Sequence, residues 1–173
     1  FMSGFLKGFL KSASERCFAI TIYLFPVLEM LSYVGRRIFT SSQSLKIRIL
    51  YHSHILQLTN VYSKYLYVIF AFIVILFFLT SRGRLPFDKY LRFNIVQAIL
   101  LSIVCSCFGT VYTLLPIWLR NTHLIGAVAT TSFTFIVGAA FYSIILVIFG
   151  RYPRIPVISR AARMQVQRSY LDF

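Results

Sequence analysis

The stretch RFNIVQAILLS at residues 92–102 opens an apolar run that continues to Trp118 and carries no charge after Arg92. A run of this length is typical of a membrane-spanning helix, which needs about 20 predominantly apolar residues. Asn94 and Gln97 lie three residues apart, so their amides share one face of the predicted helix. The sequence therefore predicts a span into which two polar side chains enter together near its charged end.

The composition is that of a multi-pass membrane protein. The 173 residues are 58% hydrophobic with a mean hydropathy of +0.77, whereas about half of the residues of a soluble domain are apolar. We expect one all-α membrane domain and no separate catalytic domain, because four spans would use about half of the chain. Lys and Arg total 18 against 4 acids. Basic residues beside a membrane gain about 1 kcal/mol each from anionic headgroups, so we expect lipid rather than nucleic acid as the partner of this charge.

Four spans are predicted, with amphipathic interfacial helices at both ends. The spans are residues 17–35, 65–81, 93–118 and 124–149, and the surface segments are residues 1–14, 36–64 and 157–168. For residues 1–14 a spanning helix is the weaker alternative, because two lysines interrupt the run. Together these segments predict a polytopic bundle.

Small residues follow one side of the third and fourth spans. Such residues let two helix backbones approach closely inside a membrane. We therefore expect the two stripes to pack against each other, through Gly109, Gly126, Thr130, Thr134 and Gly138.

Glu29 lies inside the first predicted span, one turn after Pro26. The apolar residues of this span favour insertion, but an acid at its centre costs about 3 kcal/mol. Two positions stay open for the carboxyl. It faces the bundle interior, a partner or water, or it reaches the membrane interface by snorkelling.

The basic residues are distributed unequally between the two sides of the membrane. In a four-span arrangement twelve of them fall on the side that holds both termini, and six fall on the opposite side. The positive-inside rule then places both termini on the cytoplasm-like side. The expected basic anchors on that side are Arg92, Arg151, Arg154, Arg160 and Arg163.

The sequence contains no motif for catalysis or metal binding. Cys105 and Cys107 are two residues apart, which points them to different faces of a helix, and His52 and His54 have no acid or cysteine nearby. We predict that the chain is not an enzyme and holds no metal or cofactor. The polar residues within the spans are instead candidates for a polar path or for interhelical hydrogen bonds of about 0.6 to 2 kcal/mol. These residues are Glu29, Asn94, Gln97 and Ser102.

Three pieces of sequence carry a resemblance to a known family. They are FPVLE at residues 25–29 with Tyr33 and Gly35-Arg36, RFNIVQA at residues 92–98, and GRYPRIPV at residues 150–157 followed by Ala161, Ala162 and Gln165. Together with the number and order of the spans, they resemble the Tic20 family, the twenty-kilodalton four-span subunit of the translocon at the inner envelope membrane of chloroplasts. The resemblance covers about residues 17–166.

This resemblance implies a subunit that forms or braces the path of preproteins across the chloroplast inner envelope, with both termini in the stroma. The implied partners are other inner- and outer-envelope translocon subunits and the preprotein in transit, beside anionic lipid on the stromal face. The alternative is a structural helix-bundle scaffold of a membrane complex with no conducting role. The chain departs from the family between residues 37 and 64, where a basic, proline-free stretch replaces the expected Pro-rich link.

Overall fold

The computed structural model describes residues 2–40, 44–82 and 87–168, with the side chains of residues 13–166 among them. Every regular element in these ranges is helical. The helices are α1 (Met2–Met30), α2 (Arg36–Thr40), α3 (Leu45–Leu50), α4 (Leu56–Lys64), α5 (Leu66–Ser81), α6 (Lys89–Leu114), α7 (Ile117–Arg120), α8 (His123–Ile148) and α9 (Ile158–Arg168), with single π-helical turns at Leu31–Gly35 and Tyr51–Ile55.

Three helical stretches are long and apolar enough to cross a membrane. They are Ala13–Thr40, Lys89–Leu114 and His123–Ile148, and the last two reach about 39 Å at 1.5 Å per residue, against a hydrocarbon core of about 30 Å. A fourth span exists if Leu45–Lys64 and Leu66–Ser81, which meet at a bend of 70°, are counted together. The prediction of an all-α polytopic membrane protein is confirmed.

The second predicted span differs from the expected straight helix. α5 has 16 residues, about 24 Å, which is shorter than the hydrocarbon core. The chain leaves the helical conformation at Tyr65, where φ is −103° and ψ is 16°. The predicted surface segment before it is mostly helical, as α2, α3 and α4. The segment and the span are therefore successive helices that meet at a bend.

The other predicted boundaries shift by a few residues. α6 begins at Lys89 and ends at Leu114, earlier than the predicted 93–118, because Leu115 is extended before Pro116 and a residue before proline disfavours helix. Toward the N-terminus, α1 runs without a break from Met2 through the predicted surface segment into the first span. The amphipathic character predicted for residues 1–14 falls largely on side chains outside the described ones.

α1 lies between α6 and α8 along most of the bundle. Met30 and Val34, both fully buried, pack with residues of both helices. On α6, the ring of Tyr33 packs directly against Gly109. A Cβ added at the glycine would lie 2.2 Å from a ring carbon. Close approach at Gly109 therefore serves the contact between α6 and the π-helical turn that continues α1.

The predicted packing of the two small-residue stripes against each other is wrong. On α8, Gly126 faces the guanidinium of Arg37, whose Nη2 atom would lie 2.8 Å from an added Cβ. A Cβ added at Gly138 would meet nothing within 4 Å beyond its own stretch of helix. Thr130 and Thr134 are exposed, and their hydroxyls donate to carbonyls one turn earlier on the same helix. At Gly109 and Gly126 the neighbouring side chains come instead from the π-helical turn after α1 and from α2, respectively.

The C-terminal ends of α5 and α8, the start of α6 and the whole of α9 meet at one end of the bundle, which we call the α9 end. α9 lays Ala162 and Val166 on Phe93 and Val96 of α6. α9 thus occupies most of the predicted segment 157–168, and its apolar side packs on protein.

The end of α8 is closed by a glycine and by two arginines. Gly150 has a φ of 69°, the left-handed conformation that glycine adopts without strain. The N–H of Arg151 then donates to the carbonyl of Leu146 at 2.8 Å, as in a Schellman cap. Nη1 of Arg16 donates to the carbonyl of Ile148 at 3.1 Å. Both arginines bring positive charge to the negative end of a helix dipole.

Candidate functional site

Asn94 is fully buried, and its side chain is bonded on both sides. Nδ2 donates to the carbonyl of Tyr90 at 2.9 Å, and Oδ1 accepts a long bond of 3.4 Å from the hydroxyl of Tyr23 on α1. Ser143 of α8 lies beside the same tyrosine and is also fully buried, and its hydroxyl donates to the carbonyl of Ala139 on its own helix at 2.8 Å. We call Tyr23, Asn94 and Ser143 the Asn94 layer. One interhelical hydrogen bond, from Tyr23 to Asn94, joins α1 to α6 in this layer, and Ser143 of α8 adds a third buried polar side chain.

Gln97 is as buried as Asn94 but lacks its hydrogen bonds. Neither its amide nitrogen nor its amide oxygen has a partner among the described residues. A buried amide without partners costs roughly 1 to 3 kcal/mol. Asn94 and Gln97 are therefore both fully buried, but only Asn94 makes hydrogen bonds that offset the cost of burying its amide.

Arg92 is placed differently from the sequence prediction, which made it a surface anchor. Its side chain is only 5% exposed. Nε and Nη2 donate to the carbonyl of Thr80, at 3.2 and 2.9 Å. A guanidinium here donates to a carbonyl in the last turn of α5, where carbonyls lack the regular helical bonds, and it complements the helix dipole. The prediction is wrong because α5 ends against this face of α6 and covers the arginine.

The other four predicted anchors differ from Arg92 in their exposure. Arg151, Arg154, Arg160 and Arg163 are all exposed around the α9 end. The guanidinium of Arg163 lies 6.0 Å from the centroid of the Phe93 ring, a cation–π distance. Their positions leave these charges free to meet lipid headgroups.

Glu29 is inside the bundle and only 3% exposed, which is one of the two positions left open by the sequence. The hydroxyl of Ser106 on α6 donates to Oε1. The second oxygen, Oε2, is buried and has no partner among the described residues. A carboxyl in this setting is held by one hydrogen bond, with acceptor capacity left over.

A small cavity adjoins this carboxyl. Its volume is about 10 Å³, enough for roughly one water molecule. Its polar wall consists of Glu29, Ser102 and Ser106, which we call the Glu29 patch. The remaining wall comes from α4, α5 and the outer side of α6, through Tyr62, Leu66, Phe70, Ile73 and Ile103.

The structure therefore divides the four predicted polar residues into two groups. Glu29 and Ser102 line one cavity, whereas Asn94 and Gln97 are enclosed nearer the α9 end. Sequence reasoning missed Ser106, although its spacing of four from Ser102 would have placed both hydroxyls on one helical face. It also missed Tyr23, for which the sequence offers no signal beyond a tyrosine within an apolar run.

Cys105 and Cys107 lie on separate sides of α6, as their spacing predicted. Cys105 is buried, while Cys107 and Cys17 are exposed, and all three are free thiols. Among the described residues no group of three or more His, Cys, Asp or Glu side chains could hold a metal ion.

The fold and this interior define a polytopic α-helical membrane protein whose helices enclose amides, hydroxyls and one carboxyl. A family model described as chloroplast import apparatus Tic20-like matches residues 14–162. The chain belongs to the Tic20 family, as the sequence pieces indicated, and this assigns it to proteins related to a protein translocon.

Individual relatives agree with the family match. A Tic20 family protein Ycf60 from Gracilaria tenuistipitata var. liui is 32% identical over 154 residues, covering 88% of this chain and 75% of the relative. A Tic20 family protein from Synechocystis sp. is 31% identical over 163 residues, covering 88% of this chain and 93% of the relative. Protein TIC 20-v, chloroplastic, from Arabidopsis thaliana is 24% identical over 163 residues, covering 89% and 72%.

Proposed function

We propose that this chain is a non-enzymatic subunit of the protein translocon in the inner envelope of the chloroplast, where it forms or braces the path of preproteins into the stroma. The observation that carries the proposal is the family match to a chloroplast import apparatus over residues 14–162. The chloroplastic relative from Arabidopsis supports the same location. The proposed partners are the preprotein, other subunits of the inner- and outer-envelope translocon, and anionic lipid at the stromal face.

The distribution of polar side chains separates bracing from path-lining within this role. Asn94 is bonded inside the chain, between α1 and α6, which supports a bracing role. Ser102 and Glu29 border a cavity and leave one carboxylate oxygen without a partner. These two residues are the better candidates for contact with a chain in transit.

Crosslinking of an arrested precursor tests the proposal. A photoreactive residue is placed in turn at positions 94, 97 and 102, and at position 134 on the exposed side of α8 as a comparison. We expect adducts from position 102 and none from 94 or 97, because the two amides are enclosed on all sides. If other subunits form adducts and none of these positions does, the chain does not line the path.

The orientation is a second part of the proposal. Four exposed arginines cluster at the α9 end, and the positive-inside rule places such a cluster in the stroma. Single-cysteine variants Arg160→Cys and Trp118→Cys can be labelled with a membrane-impermeant maleimide in sealed inner-envelope vesicles of known sidedness. We expect only the first to react from the stromal side. The reverse pattern would invert the topology.

A structural scaffold with no conducting role is the second candidate. The Asn94 layer favours it, because the Asn94 amide is used entirely within the chain, in bonds to Tyr23 of α1 and to Tyr90 of its own helix. A scaffold predicts that Asn94→Leu lowers the amount of assembled complex on native gels and that import falls only in proportion. Import lost from a fully assembled complex would argue against it.

A further inference from the structure

α5 is attached firmly at one end only. At the α9 end its last turn is fixed from two sides, because Arg92 donates twice to the carbonyl of Thr80 and Gln165 donates to the hydroxyl of Ser81 at 2.6 Å. The buried side chains of α5 are Ile73, Leu76 and Thr80. None of the residues 66–72, the first half of the helix, is buried.

The loosely packed half of α5 lies over the Glu29 patch. Leu66, Phe70 and Ile73 complete the wall of the cavity that the patch borders. An apolar helix thus covers a carboxyl and two hydroxyls, and it offers none of them a hydrogen bond. Burying an unpaired polar group within a membrane costs free energy. α5 supplies no hydrogen bond that would offset this cost for the Glu29 patch.

No permanent positive charge compensates the carboxyl within the described part of the bundle. The titratable groups beside it are Tyr33, Tyr62 and Cys105, which are ordinarily uncharged at neutral pH. Only one hydroxyl, from Ser106, donates to the carboxyl. An ammonium or guanidinium group would supply the missing donors to Oε2 and to the serine oxygens.

The connection between α4 and α5 allows the cover to move as a unit. The helix is interrupted at Tyr65, where the two segments meet at 70°. A change of the backbone angles at this residue alters the angle between α4 and α5 without unfolding either helix, as at the hinges of other moving elements. With the Thr80 end of α5 held, α4 moves together with the first half of α5.

We propose that α5 is a lateral cover that pivots about the Thr80–Arg92 contact, and that the Glu29 patch beneath it binds a Lys or Arg side chain of a polypeptide in transit. This inference rests on the proposed function, and it names the wall of the path and the chemistry of its occupant. The unpartnered Oε2 and the serine oxygens are hydrogen-bond acceptors, and they favour the donor-rich head of a basic side chain over an apolar one.

Tethering α5 to α6 tests the movement. In a variant whose three cysteines are replaced by alanine, Leu66→Cys and Ile103→Cys are joined by a short bismaleimide. The matched control joins Phe77→Cys to Leu100→Cys, which pack in one cluster near the attached end. We expect the first tether to slow preprotein import about tenfold or more and the control to change it less than about twofold, because only the first prevents the open state from being populated.

Equal import rates with and without the Leu66–Ile103 tether would overturn the cover. The proposed function would survive that result if adducts from position 102 persisted and if depletion of the chain still slowed import. Import that continues unchanged after depletion would instead reject the proposed function itself. The two failures are therefore distinguishable.

Precursor charge tests the occupant. A photoreactive residue at position 106 is combined with two arrested precursors that differ only in carrying Lys or Gln in the trapped segment. We expect several-fold more adduct with the Lys precursor, and we expect Glu29→Gln to remove the difference. Equal yields from both precursors in the unaltered chain would reject a basic ligand. Thermal melting of the Glu29→Gln variant in detergent shows whether it is folded.

Discussion

The Asn94 layer and the Glu29 patch are both polar contacts between α1 and α6, but their surroundings differ. The Asn94 layer is closed by a third helix, since Ser143 of α8 joins it, and its amide is bonded on both sides. The Glu29 patch has one hydroxyl donor, an unpartnered oxygen and a cavity. The first is built as a fixed joint, whereas the second retains capacity to bind.

Helix packing explains this difference. Around the Asn94 layer α1 and α8 pack tightly, and α9 covers the neighbouring face of α6 through Phe93 and Val96. Over the Glu29 patch, the loosely packed half of α5 is the cover. Stability within one structure is not uniform, and elements with few buried side chains open first. The comparison therefore predicts that changes in packed contacts lower stability, while changes in the Glu29 patch lower function.

The largest expected effect is at Gly109, where the backbone of α6 meets Tyr33. Gly109→Ala should reduce the free energy of unfolding by about 3 kcal/mol, because the added Cβ would overlap the ring and force it to shift. The matched control is Gly138→Ala on α8, where the added Cβ would meet nothing within 4 Å beyond its own stretch of helix. It should be neutral or stabilising by up to about 1 kcal/mol, the gain in helix propensity. Denaturant unfolding in detergent, followed by circular dichroism, measures both, and equal stability of the two variants would contradict the tight contact at Gly109.

Arg92 connects the two regions, since it extends from α6 to the end of α5. Arg92→Leu should cost about 2 kcal/mol, because the Thr80 carbonyl loses both of its donors in a buried position. Arg92→Lys should recover only part of this loss. An ammonium keeps the charge but cannot donate through the two-pronged geometry of a guanidinium. The same unfolding measurement applies, with Arg160→Leu, an exposed arginine of α9, as the control for loss of charge alone. Equal losses from Arg92→Leu and Arg160→Leu would contradict a structural role for Arg92.

The fold was largely readable from the sequence because hydrophobic runs of spanning length carry their own signal. The run from Arg92 onward forms α6, and the run from residue 124 forms α8 nearly as predicted. The all-α class and the family followed from such runs and from short motifs. Segment lengths and helical faces are local properties, which a sequence displays directly.

The partners of each helical face could not be read in the same way. The small residues of α6 and α8 looked complementary, but α1 lies between the two helices and the π-helical turn that continues it takes up the close approach at Gly109. Arg92 looked like an interfacial anchor, but α5 ends against it. Both errors concern which helix lies next to which, and that depends on the packing of the whole bundle.

Asn94 and Gln97 provide a sharper test, because both are fully buried amides on one helix. Asn94→Leu should lower the free energy of unfolding by about 1 kcal/mol, the size of an interhelical hydrogen bond in a membrane. Gln97→Leu should leave it unchanged or raise it, because the amide has no partner to lose. Parallel unfolding curves of the two variants measure the contrast. If Gln97→Leu lowers the free energy of unfolding more than Asn94→Leu does, the Gln97 amide has a hydrogen-bond partner and the contrast fails.

The smallest effect on stability is expected at Glu29. Glu29→Gln keeps the size of the side chain and an oxygen that can accept from Ser106, so unfolding should change by less than about 1 kcal/mol. Import should nevertheless fall, because the neutral amide no longer attracts a basic side chain into the Glu29 patch. Asn94→Leu should show the opposite pattern, with a measurable loss of stability and with import that declines only as assembled protein declines. Measuring both properties in both variants separates a binding residue from a joint. If Glu29→Gln behaved like Asn94→Leu, the two regions would share one structural role, and the distinction between them would fail.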